Sequence, residues 1–297
     1  GTGWYRRQIS IPQSWKEKQI FLKLDATSKA ATIYINGKKV GEHTGGYTAC
    51  TFDITPFCSL NTPNSLAVCV DNSRQDIPPI SGDFTFFGGI YRDVWLTAVS
   101  KQHFHLTNYG SEGIFISTPK VSEEKGTILI RGDIKNDATQ KALLELEHII
   151  YHPNGSIAQS LKQSIQIKAG EQYSFRSETS PILSPQLWTP ETPHLYRVES
   201  ILRDKKTKTV LDQSNHYTGF RWFSFDGERG FSLNGKPYKL RGICRHQDQK
   251  PIGVALTDEM HRRDIKLMKE MGANFIRISH YPQDDALLEM CDKLGML

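Results

Sequence analysis

The stretch 274–297 constrains the fold of this chain more than any other, because it reads as a strand, a polar loop and a helix in immediate succession. Residues 275–278 form a short apolar run, interrupted by one arginine, of the kind that buried strands show. Pro282 and Asp284 predict the start of a helix, and Gly295 predicts its end. This order predicts one βα unit of a parallel α/β fold.

A similar strand and helix lie just before this unit in the chain, at residues 238–272. Residues 238–243 predict a first barrel strand, and Thr257 predicts the N-cap of a helix whose first turn carries two acidic residues, which favour the positive end of the helix dipole. The helix is expected to end at Gly272 and to bury a stripe made by Met260, Leu267, Met268 and Met271. In a parallel barrel built from such units, the active site lies at the carboxyl ends of the strands.

The residues around the second strand follow a known order. They resemble the signature of glycoside hydrolase family 2, which includes β-galactosidases and β-glucuronidases, at Asn274, Arg277, Ser279, His280, Tyr281, Pro282, Asp292 and Gly295. Ile278 departs from the pattern, because a small residue is usual there. The resemblance implies that residues 218–297 are the start of a truncated (β/α)8 TIM barrel that is the catalytic domain.

The resemblance also implies substrate-binding roles. His246, in the stretch 241–248 after the first strand, matches a histidine that binds sugar hydroxyls. His280 matches a second such histidine, and Arg277 matches a residue that orders the active-site floor. Cys244 and Gln247 stand where the family usually has asparagine and glutamate, which leaves the fine specificity open. Without the family, a lone histidine after a strand is more often structural than functional.

Residues 1–100 predict a β-sandwich, because short strands alternate with turn signals. Runs at 20–24, 66–70 and 94–99 are strand-like, and Asn36-Gly37 predicts a tight hairpin turn. Side chains of 20–24 are expected to alternate inward and outward. Residues 1–7 resemble the N-terminal sugar-binding jelly roll of family 2, in which further strands usually come earlier, so we expect Gly1 to be a trimmed end.

The loop 81–96 combines aromatic residues with paired glycines, and Asp83 stands near its start. Aromatic rings stack on sugars and carboxylates accept hydroxyl protons, although this composition also fits a loop packed by its own aromatics. In β-galactosidases of the family, the matching loop reaches from the jelly roll into the active site. The resemblance therefore implies that Asp83 binds substrate, whereas the pair Arg92 and Asp93 is expected to be structural.

Residues 101–217 predict an immunoglobulin-like β-sandwich, because about seven short strands fall within this stretch. The segment 187–196 resembles a proline-rich segment of family 2, and its prolines exclude it from a central strand. We interpret it as a rigid connection packed by Trp188. Beyond it, 219–222 and 231–237 are expected to form a hairpin that closes the bottom of the barrel, with Asn234-Gly235 as its turn.

A retaining glycosidase needs two carboxylates about 5–5.5 Å apart, one as nucleophile and one as acid/base. The resemblance implies two glutamates on later barrel strands, and a complete barrel takes about 250 residues. We therefore expect no catalytic residue in this chain and place the glutamate pair beyond Leu297. Glu259, Glu270 and Glu289 are predicted on helices, away from the top face, and are not assigned to catalysis.

Composition excludes other partner classes. The net charge is +5, with no lysine and arginine run dense enough for nucleic acid, and no stretch of about 18 apolar residues suits a membrane. The partner expected is a carbohydrate substrate, with a homo-oligomer left open.

The five cysteines are widely spaced, which predicts free thiols and no metal site. No cofactor is assigned, although a divalent or monovalent cation in the complete enzyme is left open. We expect a soluble protein, and its compartment, cytoplasmic or periplasmic, is left open.

The sequence therefore predicts a portion of a retaining exo-β-glycosidase, with terminal β-galactosides favoured by Asp83 and by the pair Arg245 and His246. A β-glucuronidase or a β-mannosidase of the same family, and a non-catalytic carbohydrate-binding protein, are the alternatives. We expect Asp83, His246 and His280 to meet in one cleft. The chain alone, without the glutamate pair, is expected not to hydrolyse aryl β-galactosides.

Overall fold

The computed structural model describes every residue from Gly1 to Leu297 and contains 23 β-strands, two α-helices and two short 3-10 turns. The strands form two antiparallel sandwiches, followed by a small meander and a parallel pair. This agrees with the predicted succession of a jelly roll, an immunoglobulin-like sandwich and the first units of a barrel. Neither helix has the length and apolar character that crossing a membrane would require.

The first sandwich packs a sheet of order β1-β7-β4-β5 on a sheet of order β6-β2-β9, with the short pair β3-β8 beside them. Its strands are β1 (Thr2–Ser10), β2 (Gln19–Leu24), β3 (Thr27–Ser28), β4 (Ala30–Ile35), β5 (Lys38–Thr44), β6 (Cys50–Asp53), β7 (Pro63–Asp71), β8 (Gly89–Ile90) and β9 (Val94–Val99), with 3-10 turns at Gln13–Trp15 and Thr55–Phe57. Thirteen buried apolar residues form its core.

Two sequence expectations for this sandwich have different outcomes. The hairpin turn is confirmed: Asn36 and Gly37 join β4 to β5 with φ angles of 51° and 76°, the left-handed region that such a turn requires. The expected alternation along β2 is wrong, because Phe21 is buried as well as Ile20 and Leu22. The ring of His103, from the start of the second sandwich, packs 5.3 Å from Phe21 and covers the outer face of the strand.

The second sandwich joins a sheet of order β14-β13-β17-β18 to a sheet centred on β12, which pairs with four other strands. Its strands are β10 (Gln102–Phe104), β11 (Ile114–Val121), β12 (Lys125–Asn136), β13 (Ala142–Tyr151), β14 (Ile157–Ile167), β15 (Gln172–Glu178), β16 (Ile182–Leu183), β17 (Tyr196–Asp204) and β18 (Val210–Thr218). Sixteen buried apolar residues fill the space between the sheets.

The last part of the chain begins with a meander and continues as two βα units. Its elements are β19 (Phe223–Asp226), β20 (Gly230–Leu233), β21 (Lys236–Pro237), β22 (Gly242–Arg245), α1 (Asp258–Glu270), β23 (Phe275–Ile278) and α2 (Asp285–Leu294). Strands β22 and β23 are parallel, with Ile243 opposite Ile276. The helices pack on them through a core of six buried residues that includes Ile265 and Leu287.

The expected hairpin before the barrel was wrong in its partners. Strand β19 pairs with β20, and the Asn234-Gly235 turn joins β20 to the short β21 instead. Phe220 lies in the core of the second sandwich and its backbone bridges Leu187, so it does not join a hairpin. Within 219–222, Trp222 bonds the second segment, 231–237, through Asn234. The predicted turn residues were correct, but the turn joins β20 to β21 because Phe220 packs into the second sandwich.

The first barrel strand and the stripe on α1 also differ from expectation. Strand β22 begins at Gly242, because the side chain of Asn274 bonds the Arg241 amide and the Lys239 carbonyl and holds the preceding residues in an irregular path. Of the predicted stripe, Met268 packs against the core, whereas Leu267 and, just after α1, Met271 are exposed. The buried residues of α1 are His261 and Ile265. The two strands and α2 cover only the helix face that carries Ile265, which leaves the other face in solvent.

The five cysteines are free thiols, as predicted. Cys50 and Cys291 are buried, and burial raises the pKa of each to about 12. These two side chains therefore behave as small apolar core residues.

Candidate active site

The candidate site lies where β22 and β23 end. Because the strands are parallel and adjacent, the loops that follow them emerge side by side. His246 follows β22 and His280 follows β23, and the centroids of their rings lie 5.2 Å apart at an interplanar angle of 75°. Arg277 supports this pair: its Nη2 lies 3.2 Å from His280 Nδ1, and its Nη1 donates to Ser279 Oγ at 2.9 Å.

Tyr281 forms the floor beside the two histidines. Its hydroxyl lies 3.4 Å from His246 Nδ1 and accepts a hydrogen bond from the Gln247 amide at 3.4 Å. Its ring stacks on Tyr47 of the first sandwich, with centroids 4.4 Å apart and planes within 4°. Burial raises the pKa of Tyr281 above its usual value, so the hydroxyl remains a protonated donor at neutral pH.

The loop 81–88 of the first sandwich closes the site from the other side. Phe84 contacts all three of these residues, with its ring centroid 5.7 Å from His246, 5.7 Å from His280 and 5.4 Å from Tyr281. Asp83 lines the same cleft as His246, a space of about 290 Å³. His280 adjoins this cleft through its contacts with His246 and Phe84. Asp83, His246 and His280 therefore lie in one region, and their roles toward a substrate stay predictions.

The cleft offers the groups that a sugar requires. Asp83, Arg277 and His280 are exposed, and they supply a carboxylate, a guanidinium and an imidazole to hydroxyl groups. Phe84 supplies an apolar ring beside them. No glutamate lines the cleft, and the three glutamates considered above lie on or beside helices, as predicted: Glu259 and Glu270 in α1 and Glu289 in α2.

Arg245 does not join the cleft, although the sequence pairs it with His246. Its side chain is buried and bonds Asp264 Oδ2 at 2.9 Å and 2.7 Å and His261 Nδ1 at 3.2 Å. Burial, together with the Arg245 charge, lowers the pKa of His261 to about 4, so that ring is neutral. Arg245 therefore anchors the end of β22 to α1, which fixes the backbone from which His246 extends.

Sequence reasoning missed three residues that shape the site. Phe84 was one of several aromatics in its loop, and nothing local singled it out. Tyr47 carried no signal at all, because its partner Tyr281 is far away in the sequence. Arg92 was expected to be structural, yet its guanidinium reaches the barrel loops and donates to Pro282 O at 2.7 Å and to Gln247 Oε1 at 3.0 Å.

A second cavity, of about 480 Å³, lies outside the strand ends at the junction of the two sandwiches and the two helices. It is strongly acidic: its carboxylates include Asp25, Asp93, Asp258, Asp284, Asp285 and Glu289, against the cations Lys23 and Arg262. Partial burial, and then the charges of Asp258, Asp25 and Asp284, raise the pKa of Asp93. As the side chains stand, no group of three or more His, Cys, Asp or Glu residues is placed to hold a metal ion.

Comparison with known proteins agrees with this architecture. Three models of glycosyl hydrolase family 2 match successive parts of the chain: the sugar binding domain at residues 1–100, the model named for the family at 112–221 and the TIM barrel domain at 227–297. The chain belongs to glycoside hydrolase family 2. The fold class inferred from the sequence is thereby confirmed.

Relatives within the family carry more than one activity in their names. A β-glucuronidase of Bacteroides fragilis is 35% identical over the whole chain, which covers 42% of that protein. A β-galactosidase of Thermoanaerobacter pseudethanolicus is 33% identical, again over the whole chain and 38% of that protein. The chain thus spans about two fifths of these curated relatives.

A solved structure is much more similar. Bacteroides uniformis β-glucuronidase 2, covalently bound to cyclophellitol-6-carboxylate aziridine, is 77% identical over the whole chain and 36% of that protein, with a TM-score of 0.99. The same protein has been solved as a calcium binding mutant in which aspartates 341 and 367 of that protein are replaced by alanine. That structure is 76% identical over the whole chain and 36% of that protein, with a TM-score of 0.96.

Proposed function

We propose that the complete protein is a retaining glycoside hydrolase that releases terminal β-glucuronic acid. The observation that carries the proposal is the 77% identity, over all of this chain, to a β-glucuronidase captured with a 6-carboxylate ligand. Two curated relatives named β-glucuronidase or putative β-glucuronidase, at 35% and 37% identity, support it. This replaces the galactoside preference as the first candidate.

The cleft supports a substrate-holding role for this part of the protein. His246 and His280 lie within hydrogen-bonding range of a single sugar ring, since their centroids are 5.2 Å apart. We assign Asp83 and these two histidines to sugar hydroxyls, and Arg277 to holding His280 in place. The glutamate nucleophile and the glutamate acid/base, which make and break the glycosidic bond, are assigned to strands outside residues 1–297.

The test compares sugars that differ at carbon 6. The full-length protein is assayed with p-nitrophenyl β-D-glucuronide, β-D-galactoside and β-D-mannoside. We expect kcat/KM for the glucuronide to exceed the others by at least about 100-fold, since a site built for one polar group rejects analogues that lack it. Comparable or higher kcat/KM for the galactoside would contradict the proposal, and binding without turnover would favour a non-catalytic carbohydrate-binding protein.

β-Galactoside hydrolysis is the second candidate. It is favoured by the position of Asp83 at the cleft and by the relatives named β-galactosidase, of which one is 33% identical. In the same assay, residues 1–297 alone are expected to turn over none of the three substrates, because no glutamate lines the cleft and the catalytic glutamate pair is assigned to strands outside this chain. Steady turnover by this chain, blocked by a sugar-like inhibitor, would contradict that expectation.

We also propose a calcium ion for the acidic cavity. Calcium prefers six to eight oxygen ligands, and the carboxylates of the cavity are of that kind. Aspartates 341 and 367 of the B. uniformis protein are 26 positions apart, and Asp258 and Asp284 are the only two aspartates of this chain with that spacing. Both line the cavity, at the N-terminal ends of α1 and α2. The ion would neutralise like charges between the first sandwich and the barrel.

Calcium binding is tested by melting the metal-free, full-length protein with and without added calcium. At about 100 times its Kd, a ligand that binds only the folded state stabilises by about 2.7 kcal/mol, so Tm should rise. Asp258→Asn should abolish the rise, whereas Glu270→Gln, at the exposed far end of the same helix, should retain it. An unchanged wild-type Tm, or an equal rise in Asp258→Asn, would exclude the site.

A further inference from the structure

Arg92 extends from the first sandwich into the barrel loops and is almost completely enclosed there. Its side chain is 5% exposed, although it follows the exposed loop 81–88. The guanidinium donates to three acceptors on three segments: Tyr47 O at 3.2 Å, Gln247 Oε1 at 3.0 Å and Pro282 O at 2.7 Å. Asp284 Oδ2, at 3.6 Å from Nε, partly balances its charge.

Two of these acceptors belong to the two loops that carry the histidines. Gln247 directly follows His246, and its side chain is buried with its Oε1 accepting from Arg92. Pro282 is two residues after His280, and its carbonyl lies at the start of the turn into α2. One planar group is therefore bonded to both loops at once, and to a part of the first sandwich that stacks on Tyr281.

We propose that Arg92 is a positioning residue that sets the separation of His246 and His280. The backbones of the two loops are joined by the bond from Ser279 N to Arg245 O, and the Tyr281 hydroxyl reaches the Gln247 amide and His246 Nδ1 at 3.4 Å each. The bonds from Arg92 to the same two loops are shorter, at 3.0 Å and 2.7 Å, and are made by a charged donor. A guanidinium presents its donors in a rigid fork and spans both acceptors, whereas a lysine ammonium is a single point on a flexible stem. The first sandwich thereby acts on the site through geometry as well as through Asp83 and Phe84.

The inference rests on the proposed function for its kinetic readout, but has a second readout that does not. Full-length Arg92→Lys is compared with wild type and with Arg74→Lys, a matched change at an exposed arginine of the same sandwich whose side chain pairs only with Asp76. We measure kcat and KM on whichever glycoside the wild type hydrolyses, Tm, and hydrogen exchange of the peptides that cover 246–248 and 279–284.

Arg92→Lys is expected to lower kcat/KM by about 100-fold, part of it in kcat, because misplacement of binding groups by about 1 Å costs this much. The two loop peptides should exchange faster, while Arg74→Lys matches wild type in both measurements. Gln247→Ala, which removes one acceptor and leaves Arg92 in place, should give an intermediate loss and serves if Arg92→Lys fails to fold.

Kinetics within twofold of wild type together with unchanged exchange in the two loops would overturn the proposal, as would a loss of activity that only follows the folded fraction. If the wild type hydrolyses no glycoside, faster loop exchange in Arg92→Lys still supports positioning while the proposed function fails. Equal exchange in Arg92→Lys and Arg74→Lys would instead reject positioning whatever the activity.

Discussion

The two sandwiches contact opposite ends of the same two βα units. The first meets the carboxyl ends of β22 and β23, where Tyr47 stacks on Tyr281 and Phe84 packs against both histidines. The second meets the far ends of the helices, where the Trp188 indole donates to Asp292 O at 2.8 Å and the Lys269 amine to Pro190 O at 2.7 Å. In a barrel, the first end carries chemistry and the second carries stability.

Core size does not explain the difference. Thirteen buried apolar residues form the first core and sixteen form the second, so both sandwiches are built in the same way and to the same scale. What differs is the loop that faces the barrel: 81–92 presents an aspartate, aromatics and an arginine, whereas 187–196 presents prolines and a buried tryptophan. Function thus depends on the loops that a common architecture carries.

The largest effect is expected at the second sandwich. Trp188 is fully buried, and Trp188→Ala should cost about 3–5 kcal/mol of unfolding free energy, as truncation of a buried aromatic does. Because it lies at the stability end, kcat per folded molecule should stay within about twofold of wild type. Denaturant unfolding and active-site titration measure the two quantities, with exposed Trp4→Ala as the control. A large drop in kcat per folded molecule would break the comparison.

The opposite pattern is expected at the cleft. His280→Phe should reduce kcat/KM by about 30- to 1000-fold, or about 2–4 kcal/mol, if the ring bonds a hydroxyl more strongly in the transition state. Its Tm should change little, since the side chain is exposed. His194→Phe, in the loop of the second sandwich, is the matched control. Unchanged kinetics with a lower Tm would show that His280 only packs against its neighbours.

Asp83 tests whether the first sandwich touches the substrate directly. Asp83→Asn keeps the size of the side chain but removes its charge, and loss of a charged hydrogen bond is worth about 1.5–3 kcal/mol. We expect kcat/KM to fall by about 10- to 100-fold with Tm unchanged. Asp226→Asn, in the meander and away from the cleft, controls for the loss of one negative charge. Equal kinetics of the two variants would remove Asp83 from the site.

The smallest effect concerns pH and the second sandwich. His148 is buried, and burial lowers its pKa from 6.5 to about 4. The unfolded chain therefore binds a proton that the folded chain does not, and the stability contributed by neutral His148 is present above pH 6.5 and lost as pH falls toward 4. At pH 5.5 the loss is about 1.4 kcal/mol.

His148→Gln should flatten the dependence of unfolding free energy on pH between 6.5 and 4, with His194→Gln as the control. Urea unfolding at four or five pH values measures the slope. If His148→Gln keeps the wild-type slope, acid sensitivity comes from other buried histidines, such as His261 of α1, which contacts Arg245 at the end of β22. In that case the acid-labile element would belong to the barrel and not to the second sandwich.

Local patterns in the sequence predicted much of this molecule. The run 275–278 is strand β23, Asp284 caps α2 by accepting from the Ala286 amide at 2.9 Å, and Gly295 ends that helix with a φ of 76°. These signals succeed because each depends on residues within one turn or one strand. The family resemblance then supplied the order of the sandwiches and the barrel, and the residues that meet in the cleft.

Where the sequence failed, the deciding partner was distant. Phe220 left its expected hairpin for the core of the second sandwich, and His103 covered Phe21 from outside the first sandwich. Leu267 and Met271 matched a helical stripe, but a periodic pattern does not say which part of it a neighbouring element will cover. The period of the apolar residues predicts the type of secondary structure, whereas the burial of each residue depends on which elements pack against it.

The sequence by itself determined the elements, their order and the polar residues at the strand ends, because covalent neighbours and short-range hydrogen bonds control those features. Only the tertiary structure decided which of those residues form a site. Arg92 and the Pro282 carbonyl are 190 residues apart, and Tyr47 has no local signal that points to Tyr281. Contacts of this kind depend on how each sandwich packs against the barrel units. That packing is determined by many residues far apart in the sequence, so no short segment predicts it.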